Sequence, residues 1–391
     1  MKNISKFSYC YGCGTCVAAC PKKTISMSQD DNGFYKPIVD ERNCIECGIC
    51  LQVCAFNAST PSQEKGFKHQ SFAAWSKNKT TRRICTSGGV SFEIGCYLIN
   101  KGYKAIVCKY NPDTQCAEHY VAETKEELEA SIGSKYIQSH AADALSQIKK
   151  GEKYFITGCP CQIDSIRRWL KRRKMEDDVI FLDFFCHGVP SMLLWKQYLK
   201  ETEEKIGKIG NIVWRDKETG WHDSWVMKVK ERYSSWFSKG DLFYRMFLGD
   251  RCLGEQCYKD CKYKYDNSAA DIRIGDLWGR KYAHDEEGVN GVLCLTQKGL
   301  ALLQEMKDVL HIEPSTLEII GEAQMKKCAH RPLSYPSVMK GLKEGKKLSE
   351  IQQKAVRIEL LENIPKAIKY YIVRFPSKFL EIIGLKERPQ V

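Results

Sequence analysis

The sequence predicts a mixed α/β main domain, with some antiparallel strands, preceded by a small α+β domain rich in cysteine. Two observations predict this order. The first 60 residues repeat a four-cysteine pattern, and the chain beyond them alternates short apolar runs with segments of helical periodicity. We place the domains at residues 1–63, 64–345 and 346–391, because Ser59 to Lys68 has the composition of a linker and a lysine-rich helical tail follows residue 345.

Short apolar runs bounded by Gly, Pro or Asn predict the strands of the main domain, at Lys104–Lys109, Tyr154–Thr157, Val179–Cys186 and Val292–Leu295. Helical periodicity lies between them, at Gly89–Asn100, Ala141–Lys149, Gln162–Lys174, Ser191–Lys205 and Lys298–Val309. Antiparallel strands are expected around Ile212–Val229. In the tail, two short helical patterns are broken by Pro365 and Pro376.

The composition excludes a disordered chain, since the 391 residues are 43% hydrophobic and 28% charged. At roughly 100–200 residues per domain, such a chain forms cores without disulfide staples, so the 20 cysteines serve another purpose. No apolar signal segment precedes Cys10 and no apolar run reaches about 18 residues. We therefore expect a cytoplasmic protein without a transmembrane helix, in which clustered cysteines are metal ligands or redox groups.

Positive charge is the second bias of the chain, with a net charge of +13. One dense basic run lies on a predicted helix, at Arg167, Arg168, Lys171, Arg172, Arg173 and Lys174. It is either a solvated helix face or a docking patch for an acidic electron carrier or a phosphate-rich ligand. Nothing else in the sequence supports nucleic-acid binding. The basic tail either packs on the main domain or rests on a membrane surface or a partner.

Two N-terminal segments share the spacing C-x2-C-x2-C-x3-C. Four cysteines within eleven residues are too many for one tetrahedral zinc site, whose ligands come as two separated pairs. The spacing is typical of bacterial ferredoxins, in which three thiolates hold one 4Fe-4S cluster and the fourth reaches the other. We therefore expect a bacterial-type ferredoxin domain with two clusters, the first held by Cys10, Cys13, Cys16 and Cys54 and the second by Cys44, Cys47, Cys50 and Cys20.

Three further cysteines, Cys252, Cys257 and Cys261, lie within ten residues of one another and suggest a third metal site. The fourth ligand would come from Cys186, Cys159 or Cys161, which lie at the ends of predicted strands, and we favour Cys186. A third 4Fe-4S cluster is our first interpretation. A zinc ion and unliganded cysteines are the alternatives.

Two glycine-containing turns precede predicted helices, at Gly158-Cys159-Pro160-Cys161-Gln162 and at Ser87-Gly88-Gly89. Free backbone N–H groups and a helix dipole at such turns can receive an anion, so a cofactor phosphate or a flavin ring could bind there. Neither turn matches a nucleotide-binding fingerprint, and a plain turn is the alternative. His187 and Asp276 are candidate proton-handling groups, although a histidine beside Gly188 and Pro190 is more often structural.

The motifs taken in order resemble the coenzyme F₄₂₀ hydrogenase/dehydrogenase beta-subunit family. After the two-cluster pattern the chain shows Ser87-Gly88-Gly89, Gly133 to Ser139, Gly158 to Gln162, Cys186 to Ser191, Arg215-Asp216-Lys217 with Gly220-Trp221, and Asp271 to Gly279. The resemblance extends from about Cys10 to Gly341 and leaves out the tail.

The resemblance implies an iron–sulfur flavoprotein in which FAD exchanges a hydride with an organic substrate and passes single electrons to 4Fe-4S clusters. It implies a flavin site made of Ser87, Gly88, Gly89, Gly133, Ser134, Lys135, Tyr136, Gln138, Ser139, Gly158, Cys159, Pro160, Cys161 and Gln162. It also implies that the cysteine group at Cys252–Cys261 holds the cluster beside the flavin. The deazaflavin coenzyme that names the family need not be the substrate.

A flavin connects two-electron and one-electron chemistry, which suits a chain that carries both clusters and a hydride acceptor. We expect a cytoplasmic oxidoreductase that acts on a small molecule and exchanges electrons with a redox partner such as ferredoxin or another oxidoreductase subunit. One alternative is an electron-transfer subunit that relays electrons between ferredoxin and a partner enzyme. Another is a non-redox protein that keeps its clusters for folding or sensing.

Overall fold

The computed structural model describes residues 3–6, 10–62, 66–259, 261–324 and 326–360. The N-terminal module contains α1 (Thr15–Ala19), β1 (Ile25–Gln29), β2 (Tyr35–Val39) and α2 (Ile49–Gln52). Its two strands form an antiparallel hairpin, and each short helix follows a glycine in the left-handed region, Gly14 (φ 75°) before α1 and Gly48 (φ 71°) before α2. The sequence repeat is therefore also a structural repeat, as the ferredoxin pattern predicts.

The main domain begins with β3 (Gln70–Ser76), α3 (Lys79–Ile84), α4 (Val90–Asn100), β4 (Tyr103–Asn111), β5 (Cys116–Ala122), α5 (Lys125–Glu129), β6 (Ser139–His140), α6 (Ala142–Leu145), β7 (Lys153–Thr157), α7 (Pro160–Arg172), β8 (Val179–Phe184) and α8 (Met192–Ile206). It continues with β9 (Val213–Arg215), β10 (Trp225–Val229), β11 (Tyr233–Trp236), α9 (Leu242–Leu248), α10 (Glu255–Lys259), β12 (Ile272–Asp276), β13 (Asn290–Cys294), α11 (Gln297–Glu305), β14 (Leu310–Ser315), α12 (Leu317–Ile320) and α13 (Tyr335–Lys343). Residues 348–360 are helical.

A nine-stranded sheet, in the order β14-β3-β13-β12-β8-β7-β4-β5-β6, forms the centre of the main domain. Strands β4, β7, β8 and β12 run parallel to one another, whereas β13, β3 and β14 pair antiparallel with their neighbours. Strand β5 is antiparallel to β4 and parallel to β6. The prediction of a mixed α/β domain is therefore confirmed. The carboxyl ends of the four parallel strands meet at one edge of the sheet, where ligands of α/β proteins bind.

Side chains alternate between the two faces of this sheet. Phe155 and Ile180 face a core that includes residues of α4 and α11, whereas Ile156 and Phe181 face a second core with residues of α6 and α7. The N-terminal module lies on the second face, because Val53 belongs to that core and α1 contacts both α6 and α7. The module is thus seated directly on the helices that follow β6 and β7.

A second, three-stranded sheet in the order β11-β10-β9 is antiparallel, which confirms the expectation for the segment around Ile212–Val229. It packs with α8, α9 and α13 around the fully buried rings of Trp195, Trp214, Tyr244 and Phe243. This aromatic core stands beside the carboxyl edge of the large sheet and brings the loops after β9 and α9 to that edge.

Most of the predicted elements are present, with shifted ends. The expected helix at Ala141–Lys149 is only one turn long, and the helix expected at Lys298–Val309 ends at Glu305. Helix α7 begins two residues early, since Pro160 suits a first helical position. The boundary between residues 63 and 64, and tail residues 361–391, lie outside the described residues. Among the helices described, none is long and apolar enough to cross a membrane.

Candidate functional site

The first expected cysteine set is assembled in the module. The thiol of Cys16 lies within electrostatic range of Cys10, Cys13 and Cys54. Burial raises the pKa of Cys10 to about 12 and that of Cys54 to about 11. Iron displaces these thiol protons when it binds, so assembly of a cluster on this set releases protons.

The second expected set surrounds a concave site, which is lined by Cys20, Cys44, Cys47 and Cys50 together with Ile45, Gly48 and Lys22. Cys47 is exposed, so this set lies at the surface of the module. Cys50 of the second set is an electrostatic neighbour of Cys16 of the first, so the two sets adjoin.

Four cysteines of the main domain form a third set, made of Cys161, Cys186, Cys257 and Cys261. These four thiols lie close enough together that each of the six pairs interacts electrostatically. They come from the start of α7, the loop after β8, α10 and the loop after α10. Within the described residues, no three His, Cys, Asp or Glu side chains are close enough to share one metal ion.

Cys252, which the sequence spacing groups with Cys257 and Cys261, lies apart from them. Its side chain is fully buried, and the groups that act on its thiol are the Ser191 backbone, Arg251 and Asp250, with no cysteine among them. The backbone explains this, because Cys252 accepts a hydrogen bond from the amide of Ser191 and turns its side chain into the aromatic core. Cys161 occupies the place in the third set that the spacing suggests for Cys252.

The module and the third set meet through Cys13 and Cys161, whose thiols are electrostatic neighbours. Around this meeting point Tyr11 and Ala55 of the module pack on Tyr263, with Cys161 and Cys261 against the same cluster. The amide of Ala55 donates to Ser165 Oγ at 3.0 Å, and Lys262 Nζ donates to the carbonyl oxygens of Ala55 and Phe56 at 3.1 and 3.2 Å. The three sets therefore form a continuous series.

Residues that the family resemblance assigns to the flavin lie at the carboxyl edge of the sheet. Lys135 donates hydrogen bonds to the carbonyl oxygens of Ser131, Ile132 and Gly133, at 2.8–3.0 Å. Burial lowers the pKa of Lys135 to about 8. Its side chain is deep in the protein and still retains accessible surface, as does that of Tyr136. Both side chains are thus largely enclosed by protein, and we refer to the region around Lys135 and Tyr136 as the cleft.

The neighbours of Tyr136 complete this part of the cleft. Its ring stacks on Trp225 at 4.9 Å, and Arg215 donates to its hydroxyl at 3.2 Å. Ser134 donates to Thr86 Oγ1 through its amide and its hydroxyl, which joins the loop to the segment before Ser87.

Gln138 and Ser139 lie on the module side of the cleft. The Gln138 amide group donates to the carbonyl oxygen of Tyr11 at 3.2 Å and accepts from the amide of Tyr35 at 2.8 Å. Gln162 donates to Ser139 Oγ at 3.2 Å, and its side-chain oxygen accepts from the amide of Cys159 at 2.9 Å. The polar atoms of Gln138 thus hold the module.

The turn at Gly158-Cys159-Pro160 joins β7 to α7, and Cys159 caps the helix. Cys159 is a close neighbour of Cys186 in the third set and also of Cys108 on β4. It therefore stands between the third set and the cleft.

The Ser87-Gly88-Gly89 turn is fixed by protein groups. Ser87 Oγ donates to the carbonyl oxygen of Val289 at 2.8 Å, and a side chain at Gly88 would meet the Ala74 carbonyl oxygen at 2.7 Å. Gly89 has φ 84° and begins α4 without a side-chain cap. Gly88 is thus needed for close backbone packing, and the first amide of α4, that of Val90, donates to Asn290 Oδ1 at 3.3 Å.

His187 and Asp276, the candidate proton-handling groups, both contact polar protein groups, and His187 Nε2 lies 3.1 Å from the carbonyl oxygen of Phe247. His187 Nε2 lies 2.8 Å from Asp250, and its Nδ1 is buried without a hydrogen-bond partner among the described residues. Asp276 accepts from Arg215 at 3.1 Å and from the Trp221 indole at 3.3 Å. The Arg215 guanidinium is buried between the rings of Trp225 and Trp278.

Three residues near the cleft have no individual signal in the sequence. His119 lies behind the end of β7, where its Nε2 is 3.0 Å from the carbonyl oxygen of Thr157 and its Nδ1 has no partner among the described groups. Lys217 donates to the carbonyl oxygens of Arg82, Ser87 and Glu287, and burial lowers its pKa to about 8. Arg215 and Lys217 belong to a motif of the family resemblance, whereas His119 does not.

Comparisons with known proteins identify the family to which this chain is similar. Residues 71–146 match the family model described as coenzyme F₄₂₀ hydrogenase/dehydrogenase, beta subunit N-term, and residues 151–318 match the one described as its C terminus. Together these two matches extend over more than half of the chain. Residues 9–58 match the family model of the 4Fe-4S dicluster domain.

Individual relatives are distant. An uncharacterized protein of Methanocaldococcus jannaschii is 27% identical over 187 residues, which are 40% of this chain and 51% of that protein, so the match spans about half of the relative. An uncharacterized ferredoxin of the same organism is 39% identical over 49 residues, 12% of this chain and 62% of that protein. A chain from the F₄₂₀-reducing [NiFe] hydrogenase complex of Methanosarcina barkeri has 16% identity and a TM-score of 0.47, over 76% of this chain and 92% of that one.

Proposed function

Since this chain belongs to the coenzyme F₄₂₀ hydrogenase/dehydrogenase beta-subunit family, an oxidoreductase family, and carries a 4Fe-4S dicluster domain, we propose that it is an iron–sulfur flavoprotein oxidoreductase. It passes electrons between 4Fe-4S clusters and FAD, which exchanges a hydride with an organic substrate or a deazaflavin-type coenzyme. The observation that supports this most is the unbroken series of cysteine sets, joined by Cys16 with Cys50 and by Cys13 with Cys161.

Each set supplies four thiolates, the number that a 4Fe-4S cluster takes. The two N-terminal clusters are held by Cys10, Cys13, Cys16 and Cys54 and by Cys44, Cys47, Cys50 and Cys20. For the third cluster we propose Cys161, Cys186, Cys257 and Cys261, because these four are mutual neighbours and Cys252 is not near them.

The residues of the cleft fit a bound cofactor. Lys135, Tyr136 and Cys159 are deep in the protein with accessible surface, and the buried Nδ1 of His119 has no partner among the described residues. Ser134, Lys135, Tyr136, Gly158 and Cys159 would hold the flavin. When bound, FAD supplies the conversion between hydride transfer and single-electron transfer.

The protein side chains around the cleft mainly hold loops and other side chains in place. Lys135 and Lys217 each use their ammonium hydrogens on main-chain carbonyl oxygens, so they fix the loops at Gly133 and Ser87. Arg215 holds the Tyr136 hydroxyl and the Asp276 carboxylate. Cys159 interacts with Cys186 and Cys161 of the third set and with Cys108 on β4.

Anaerobic purification with quantification of iron, sulfide and flavin tests the proposal. We expect about twelve irons and one FAD per chain, because each 4Fe-4S cluster contains four irons. About eight irons without flavin would refute the flavoprotein function. Cys10→Ala separates a redox function from a structural one, since an enzyme loses coupling to its electron donor whereas a structural cluster predicts a folding defect.

A second candidate function is an electron-transfer subunit that relays electrons between ferredoxin and a partner enzyme. It is favoured by the description of the matched family, which is named for a beta subunit. If flavin is present but no hydride acceptor is reduced unless a second polypeptide is added, the relay function is the better description.

A further inference from the structure

The basic run on α7 divides into two parts with different surroundings. Arg167 is buried and forms an ion pair with Asp271 at 2.6 Å, and Arg168 pairs with buried Asp164 at 2.9 Å. These two arginines hold the fold together and are not available to a partner. The run as a whole is therefore not a solvated helix face.

The second part of the run is at the surface. Lys171, Arg172 and Lys174 are exposed at the end of α7, with 66% of the Lys171 side chain accessible. Arg172 donates to Gln52 Oε1 at 2.7 Å. Gln52 ends α2, two residues after Cys50 of the second cysteine set, so this part of the run borders that set.

The module adds two lysines on its own side. Lys22 lines the concave site of the second set, and Lys23 is exposed beside it. Exposed Ile45 and Cys47 line the same site, with 56% of Ile45 accessible. We call Lys22, Lys23, Lys171, Arg172 and Lys174 the basic rim.

Acidic residues also lie near the basic rim, and their positions determine which basic residues should be substituted in an experiment. Glu41 and Glu46 are exposed on the module, on either side of Cys44 in the sequence, whereas Lys171 has Glu176 at 3.9 Å. An acidic turn, Glu176-Asp177-Asp178, follows Lys174, so the test acts on Lys171, Arg172 and Lys174 themselves, the exposed basic residues that border the second set through the contact of Arg172 with Gln52.

We propose that the basic rim docks a small acidic one-electron carrier protein, whose redox centre then lies against the second cysteine set. The proposal rests on the proposed function, since it requires a 4Fe-4S cluster in that set. One electron moves per encounter: the carrier is oxidised by one electron and the cluster is reduced by one, without proton transfer. Opposite charges steer such encounters and raise the association rate at low salt.

Stopped-flow reduction of the full chain by an acidic bacterial two-cluster ferredoxin, pre-reduced and freed of reductant, tests the proposal. The variant Lys171→Glu, Arg172→Glu, Lys174→Glu should lower the second-order rate constant about tenfold or more at low ionic strength. The rates of variant and parent should converge above about 0.5 M salt, where screening removes steering. Reduction by dithionite, which needs no docking, should be unchanged.

A matched control changes the net charge equally elsewhere. Lys79, Lys125 and Lys307 are exposed near α3, α5 and α11, in the part of the molecule that packs on the opposite face of the sheet. Their replacement by glutamate should leave the ferredoxin rate at the parent value. Equal losses in both triple variants would overturn the docking site, because they would show a general charge effect.

Two further outcomes also overturn it. One is an α7 variant that ferredoxin reduces as fast as the parent at low salt. The other is an unchanged ferredoxin rate together with lost sedimentation on phosphatidylglycerol vesicles, which would assign the rim to a membrane surface. Iron content and dithionite reduction report separately on the clusters, so failure of docking is distinguishable from failure of the proposed function.

Discussion

Arg273 on β12 and Asp183 on β8 are direct register partners on parallel strands, and their side chains form a two-pronged ion pair that is fully buried. Both oxygens of the carboxylate accept from the guanidinium at 2.7 Å. The remaining Arg273 nitrogen donates to the carbonyl oxygens of Tyr263 and Tyr265, at 3.0 and 2.9 Å. One ion pair thus joins two strands of the sheet to the loop that follows Cys261.

Removal of one partner of this pair should strongly destabilise the fold. Asp183→Asn should lower the free energy of unfolding by about 3–5 kcal/mol, because it leaves a buried guanidinium without its counter-charge. The double variant Asp183→Leu, Arg273→Met should be more stable than Asp183→Asn. Urea denaturation under anaerobic conditions measures both. The exposed pair of Arg280 and Glu322 provides the control, and Arg280→Met should leave the midpoint within error.

The ligand set of the third cluster can be tested by two single substitutions. Cys161→Ala should lower the iron content from about twelve to about eight per chain, whereas Cys252→Ala should retain about twelve. Cys252 is buried away from the other cysteines, so its loss creates only a small cavity. The reverse pattern of iron loss would restore the grouping that the sequence spacing suggests.

The sequence predicts the two N-terminal cysteine sets more completely than the third set, and the reason is physical. The eight N-terminal cysteines are local motifs, so their spacing alone determines the grouping. The third set joins residues that are up to 100 positions apart, from Cys161 to Cys261. Only the parallel pairing of β7 with β8 and the placement of α10 bring them together. Proximity in the chain suggests Cys252 instead, although the backbone there turns the thiol into the core.

The strands are predicted well where short apolar runs are bounded by Gly, Pro or Asn. Strands β4, β7, β8 and β13 begin or end within two residues of their expected positions. Docking of the module is not predictable in this way, because it depends on contacts between residues far apart in the sequence, both apolar ones such as Val53 and polar ones such as Gln138. Gln138 belongs to a motif that the family resemblance assigns to the flavin, and its amide group bonds to Tyr11 and Tyr35 of the module.

Loss of the Gln138 contacts should weaken the seating of the module. Gln138→Leu leaves the amide of Tyr35 and the carbonyl oxygen of Tyr11 without these partners, so we expect a loss of about 1–3 kcal/mol in the free energy of unfolding. Magnetic coupling between reduced clusters, measured by electron paramagnetic resonance, should also decrease. The control Gln147→Leu removes an exposed amide contact near α6 and should change neither quantity. Unchanged coupling and stability in Gln138→Leu would contradict this role.

Gly12 offers an independent test of the same contact. Its φ is 70°, and an added side chain would collide with the Gln138 amide group. Gly12→Ala should therefore combine backbone strain with displacement of Gln138, and should reduce the coupling more than Gln138→Leu does. The matched substitution Gly48→Ala has similar backbone strain at φ 71° but meets no atom within 4 Å, so it should preserve the coupling.

Acid should destabilise the protein through His119. Burial lowers the pKa of His119 from its ordinary value of 6.5 to about 4, so the folded protein stays unprotonated there while the unfolded chain takes up a proton. Stability from this group is complete above pH 6.5 and is lost as the pH falls toward 4. Between pH 7.5 and 5.5 this loss is about 1.4 kcal/mol. His119→Gln should therefore show a smaller difference between urea midpoints at the two pH values than the parent does. His311→Gln, at an exposed site, should keep the parent's difference, and an equal difference in His119→Gln would refute the assignment.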